Sequence, residues 1–325
     1  MNKTYIALGA VALVAVAAFS WNTYVDQQAE KHAAELLNST DLADTLKYKK
    51  VTGGWLGNSL TLHEATVSAG DADITAKSIC LTGRGLNKGG ALESLSVKVE
   101  GLDAPTVISA KNGALSLSGL PTQSLAALGY TRLQGDLAFH YAPDPKNSRQ
   151  LQLGLEFDLD DLGEASMEMV LDKVELEGVG DYIATIQNSP FDLRRKGSTA
   201  ALFFMYLKSQ TDIKLASAEV RYKDDGLRER LLMLQREQSQ FLGDIDEYSQ
   251  TLADDLRKDA KSMQDDADKK SLVASMKAAA DFVQKGGSIE GETNFPKPVP
   301  IFSSKGLMQM LEDPRYGVVL FQLKR

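Results

Sequence analysis

From Leu151 to Leu159 the chain alternates. Leu151, Leu153, Leu155, Phe157 and Leu159 fall on one side of an extended strand, while Gln152, Glu156, Asp158 and the following Asp160 fall on the other. Successive strand side chains point to opposite faces, so this pattern makes one oily face and one wet face. A loop at Asp160-Asp161-Leu162-Gly163 leads to a second strand with Ala165, Met167, Met169 and Leu171 on one parity, but Val174 and Leu176 on the other. One extra residue near Asp172-Lys173 restores the face, which predicts a β-bulge there. The same period of two recurs from about Lys49 in LGNSLTLHEATV, ADITAKSICLTG, ALESLSVKVEGL, TVISAKNGALSLSGL and GDLAFHYAPD, with turn formers such as Gly83, Gly85, Gly89-Gly90 and Pro143-Asp144-Pro145 between them. Asn112-Gly113 carries the clearest hairpin signal, since both residues tolerate positive φ. Parity slips between Leu62 and Val67 and between Ala76 and Ile79 predict strands that bend and twist strongly, as in a curled sheet, groove or barrel.

Helical spacing replaces this rhythm in a few places. A short helix is expected over Thr122–Leu128, capped by Thr122 and stopped at Gly129, and another over Ser198–Ser209. The longest amphipathic region carries Leu227, Leu231, Leu234, Phe241, Ile245, Tyr248, Leu252 and Leu256 along one seam, with Gly243 tolerated inside it. It reads as two helices, or one bent pair, from Gly226 to Lys285, closed by Gly286-Gly287. A strand SIEGETNF, an extended PKPVP run, a short helix at 303–311 and a last strand YGVVLFQLKR follow. Pro296, Pro298 and Pro300 place their run at a sheet edge or rim.

The N-terminus decides the compartment. Lys3 precedes an uncharged run from Thr4 to Trp21, close to the lower limit of about 17 residues for a spanning helix. Trp21 and Tyr24 suit the far interface. Ala17, Ala18 and Ser20 also fit a signal-peptide cleavage site, but helix-favouring sequence continues through VDQQAEKHAAELLNST, so an uncleaved anchor is preferred. Either way the bulk of the chain is exported. The expected fold class is α+β, in five parts. They are a transmembrane anchor (1–25), a helical stalk (26–48), a strongly twisted antiparallel β domain or groove (49–222), an acidic amphipathic helical pair (223–287) and a strand-helix-strand end (288–325) that completes the β domain.

Charge and candidate chemistry narrow the function. A net charge of -8 argues against nucleic acid, which selects basic surfaces. Cys80 stands alone, so no internal disulfide forms. Of the three histidines, His32 belongs to the stalk, while His63 and His140 occupy polar strand positions with no second ligand at metal spacing. No P-loop, dinucleotide fingerprint, nucleophile elbow or zincin motif occurs. The carboxylates from Asp244 to Asp268 lack calcium-loop spacing and mingle with Arg257, Lys258 and Lys261, as on a solvated helix face. Arg194-Arg195-Lys196 is the one dense basic knot, read as an exposed loop. A non-enzyme without metal or cofactor is therefore expected.

The MNKTYIALGAVALV start and the strands TVISAKNGALSLSGL and LQLGLEFDLDDLG resemble single-anchor envelope proteins of Gram-negative bacteria, of the YdgA-like and AsmA-like type. That resemblance is architectural and transfers no site residue; the acidic helical segment departs from it. It implies a periplasmic twisted β-groove tied to envelope maintenance and lipid handling. Two functions are then in competition. In one, an apolar groove lined by Leu153, Leu155, Phe157, Met167 and Met169 holds a lipid chain, with methionine suited to varied ligands. In the other, the seam of Leu227, Leu231, Leu234, Phe241, Ile245, Tyr248 and Leu252 binds a protein partner or a second copy, and the protein is a periplasmic scaffold.

Overall fold

The computed structural model describes residues 46–53, 59–69, 72–86, 92–110, 113–116, 125–144, 147–174, 213–266 and 270–300. Those residues form a mixed α+β protein with a large, twisted antiparallel sheet and three helices. The expected anchor and the stalk up to residue 45, the helix at 198–209, the basic knot at 194–196 and the closing helix and strand beyond 300 lie outside the described residues. No helix among the described residues is long and apolar enough to cross a membrane.

The chain divides into two compact units, residues 1–151 with 173–210, and residues 152–172 with 211–325. In the first unit the strands are β1 (Leu46–Lys47), β2 (Lys50–Gly53), β3 (Ser59–Ala69), β4 (Ala72–Leu86), β5 (Leu92–Pro105) and β8 (Arg132–Asp144), ordered β1-β3-β4-β5-β8 with β2 also on β3. A separate hairpin pairs β6 (Val107–Ala110) with β7 (Gly113–Ser116), Ala110 opposite Gly113. Its connection is therefore residues 111–112, one position earlier than the Asn112-Gly113 pair.

The parity slips read from the sequence fall on one transverse row. Buried positions run Leu60, Leu62, then Ala65 on β3; Ile74, Ala76, then Ile79 on β4; and Val97, Val99, then Leu102 on β5. Register places Glu64, Lys77 and Gly101 between the two halves of their strands, and Glu64 (φ 50) and Gly101 (φ 59) adopt left-handed backbone. The β5–β8 register steps by one residue at the same level, between Val99 and Leu102. Gly101 is needed there: a Cβ would stand 2.6 Å from Lys77 Cδ, and its N–H donates to the Asp136 carboxylate at 2.8 Å. Three neighbouring strands thus bend together while keeping one apolar face inward. That face is closed, with Leu81 and Val97 both at 0% exposure.

The second unit holds most of β9 (Asn147–Leu159), then β10 (Gly163–Asp172), β11 (Lys214–Asp224) and β12 (Ser288–Pro300), in that order. The bulge expected at Asp172-Lys173 is displaced. Val170 pairs with Ser217 and Leu171 with Leu215, so the extra residue is Ala216 on β11; β10 ends at Asp172, and Lys173 turns the chain with φ 62. The prolines do not end the last strand, because β12 runs to Pro300 as the last strand of the described order, where missing donors are tolerated.

Between β11 and β12 stand α1 (Leu227–Ser239), α2 (Ile245–Ser262) and α3 (Lys270–Lys285), three helices rather than the expected pair. Gly243 lies in the break between α1 and α2, not inside a helix. Gln240 caps α1 in left-handed backbone, and Asp244 caps α2 by accepting the Glu247 N–H at 2.9 Å. An aspartate cap and a glycine costing about 1 kcal/mol inside a helix both favour the break. The expected helix at Thr122–Leu128 is, in its described part, a turn: Leu128 N–H donates to the Leu125 carbonyl and Gly129 N–H to that of Ala126. So few residues cannot offset helix nucleation.

Candidate functional site

Leu151 and Leu159, at the two ends of the β9 alternation, are buried, but Leu153, Leu155 and Phe157 between them are only half-buried. On β10, Ala165, Met167 and Met169 are half-buried as well, and Leu171 closes the row as a buried side chain. Register extends this face across the unit: Met167 lies opposite Val220, which faces Gly291, and Met169 lies opposite Ala218, which faces Thr293. Directly paired residues share a face, so these side chains form one apolar surface. All five groove candidates belong to it, and it contrasts with the closed face of the first unit.

The reverse side of the same strands is charged. Lys223 Nζ meets Glu164 Oε1 at 2.6 Å, and Arg221 Nη2 meets Glu219 Oε1 at 2.5 Å. The hydrogen bond to Glu164, then the charges of Glu164 and Asp158, raise the Lys223 pKa above the ordinary lysine value. β9 ends at Leu159 and β10 opens at Gly163 across a three-residue turn, so alternation from that corner puts Leu153, Leu155 and Phe157 on the side of Ala165, Met167 and Met169. Polar atoms on the apolar side are already engaged. The Tyr222 hydroxyl donates to the Leu162 carbonyl at 2.6 Å and lies 2.9 Å from Asp224 Oδ1; Thr293 Oγ1 accepts the Ala218 N–H at 3.2 Å.

The helices are rooted at one end of this face. Asp224 accepts the Arg228 N–H at 2.8 Å, and the Arg228 guanidinium donates to the Val283 and Gln284 carbonyls at the end of α3. The Phe282 ring meets Tyr222 edge-on, 6.1 Å between centroids. Gly226 and Gly163 let the backbones close in, since a Cβ would stand 2.9 Å from Asp161 O at the first and 2.1 Å from Lys223 O at the second.

The expected helical seam is split. Leu227, Leu231 and Leu234 lie on α1, Phe241 in the break, and Ile245, Tyr248 and Leu252 on α2; all seven are half-buried. The buried helix positions are instead Leu232 on α1, Ser249, Ala253 and Ala260 on α2, and Val273 and Ala280 on α3. Small side chains let two helices approach closely. α2 and α3 are antiparallel neighbours, held by Arg257 to Asp281 at 2.8 Å and by a Gln284–Gln250 hydrogen bond. A scan weighted towards large apolar residues passes over this line. Ala218 and Val220 were also missed as lining, although the alternation of IKLASAEVRYKD carries them.

The other candidate groups do not converge. His63 Nε2 pairs with Thr52 Oγ1 at 2.9 Å, His140 is half-buried on β8, and Cys80 is a half-buried thiol opposite Lys98. Among the described residues no cluster of His, Cys, Asp or Glu has the makings of a metal site.

A family model described as "Uncharacterized protein" matches residues 156–316, which take in β10, β11, the three helices and β12. No curated protein and no solved structure matches the chain.

Proposed function

We propose that the protein is a non-enzymatic, inner-membrane-anchored component of the periplasm that shelters the apolar part of a lipid on the β9–β12 face. One observation carries the reading: a contiguous apolar surface that the chain's own side chains leave half-uncovered. Burial of apolar area drives such binding at about 0.8 kcal/mol for each methylene removed from water, so several methylenes suffice without a charged contact. Met167 and Met169 fit chains of varied shape because their side chains repack readily. The uncharged run at residues 4–21 supplies the tether that keeps the face near its ligand.

The test is extraction. Residues 26–325 are purified and examined by native mass spectrometry with lipid analysis of the organic extract. A co-purifying lipid is expected, and Leu155→Asp and Met169→Glu are expected to abolish its retention while helical circular dichroism stays at the wild-type level. Wild-type retention in both variants removes these strands as the lining, and an extract free of apolar compounds from the parent protein removes the reading itself.

A further inference from the structure

The helices carry a second apolar surface, separate from the β9–β12 face. On α2, Ile245, Tyr248, Leu252 and Leu256 recur at steps of three and four, so they share a stripe about 80° wide. All four are half-exposed, because the contact with α3 runs along the neighbouring line of Ser249, Ala253 and Ala260. At its N-terminal end the stripe continues into the α1–α2 break. Phe241 packs on Tyr248 with centroids 5.3 Å apart, and Leu242 beside it is fully exposed.

The far border of the stripe is acidic. Asp255 stands on that border and Asp259 one turn further on, at the C-terminal end of the stripe itself, and both are exposed. Their neighbour Asp254 is already engaged, accepting from Gln250 at 2.8 Å and from Arg257 at 3.1 Å. Among the described residues no ion pair reaches Asp255 or Asp259. An apolar helix stripe with unmatched aspartates at its border and its C-terminal end has a definite complement. We propose that it docks an amphipathic helix of a partner protein, whose apolar face covers Tyr248 and Leu252 and whose flanking lysines or arginines meet Asp255 and Asp259. Electrostatic complementarity of this kind selects the partner and its orientation more than it adds affinity. A second copy of this chain is disfavoured as occupant, since it brings the same aspartates to the same border, and an anionic membrane surface is repelled for the same reason.

The test uses the full chain in non-ionic detergent and two fluorescent synthetic peptides of about three heptads, with leucine at a and d. One carries lysine at e and g, the other glutamate. The lysine peptide is expected to bind at least about tenfold more tightly, and its binding to weaken as salt shortens the screening length from about 10 Å to about 3 Å. The double variant Asp255→Lys with Asp259→Lys is expected to reverse the preference, and Leu252→Ala to weaken both peptides with helical circular dichroism unchanged. Equal binding of the two peptides, binding of neither, or a double variant that keeps the parent's preference overturns the proposal. So does a peptide-free chain that sediments as a dimer and is returned to monomer by Leu252→Ala, because the stripe then belongs to a second copy.

Discussion

Replacing Gly163 by alanine tests the corner on which the β9–β10 pair and the helix root both depend. Gly163 opens β10 at φ 117, and a Cβ there would stand 2.1 Å from Lys223 O and 3.1 Å from Asp225 N. Two costs follow. A backbone conformation of this kind costs an L-residue about 1–3 kcal/mol. The clash is with main chain, so relief requires breaking the Gly163–Asp224 pairing, at about another 1 kcal/mol per hydrogen bond lost. Gly287 separates the two, because it also has positive φ (97) but no atom within 4 Å of an added Cβ. Gly287→Ala should therefore show only the conformational cost, and Gly163→Ala roughly 1–2 kcal/mol more. Urea unfolding followed by far-UV circular dichroism reads the difference, since all three described helices belong to the same unit as both glycines. With a urea dependence of about 1–3 kcal/mol per molar, the two midpoints should differ by about 0.3–2 M. Equal midpoints would refute the close approach of Gly163 to Lys223.

Two further outcomes are expected. Ala280→Leu, at a position with 0% exposure between α3 and its neighbours, should overpack the hairpin and lower helix stability by about 1–3 kcal/mol in thermal melts, whereas Leu272→Ala on the exposed side should change it by less than about 0.5 kcal/mol. The hydrogen bonds from Lys98 and then Ser78 hold the Glu100 carboxyl below its ordinary range. Because its folded-state pKa is depressed, the stability it contributes is present above the ordinary glutamate value and is lost as pH falls through the lowered one. An NMR titration of Glu100 should show this, and Lys98→Met should move the midpoint back up; an unmoved midpoint would mean Lys98 is not the cause.

Alternation makes most of the sheet legible in the sequence. A strand that covers a core on one side must repeat every second residue, so β3, β4, β5 and β8 to β10 stand close to where period two puts them. The parity slips at Leu62–Val67 and Ala76–Ile79 also reported real bends, because an extra residue leaves a visible fault in such a repeat. The slip after Leu171 was misassigned for a physical reason: β10 ends at Asp172 and Lys173 turns the chain, so the fault marks the end of a strand, while the bulge at Ala216 on β11 leaves no trace in the pattern of β10. The helices were less legible. Leucines at steps of three and four drew attention to the large side chains, yet Ser249, Ala253 and Ala260 make the tight contact. A break at Gly243 also turned one expected seam into two. For the apolar β9–β12 face, the five candidate residues and their shared side could be read in advance. Its half-exposure could not, since covering groups come from elsewhere in the chain.

Pro296, Pro298 and Pro300 remove three backbone donors from the far end of β12, the outermost described strand, where residues 295–298 have no register partner on β11. A newcomer laying itself along that end would find carbonyls outnumbering N–H groups, and the two chains could not zip together. A strand this long would otherwise invite fibre growth; the proline comb makes that end of the border sterile to polymerisation.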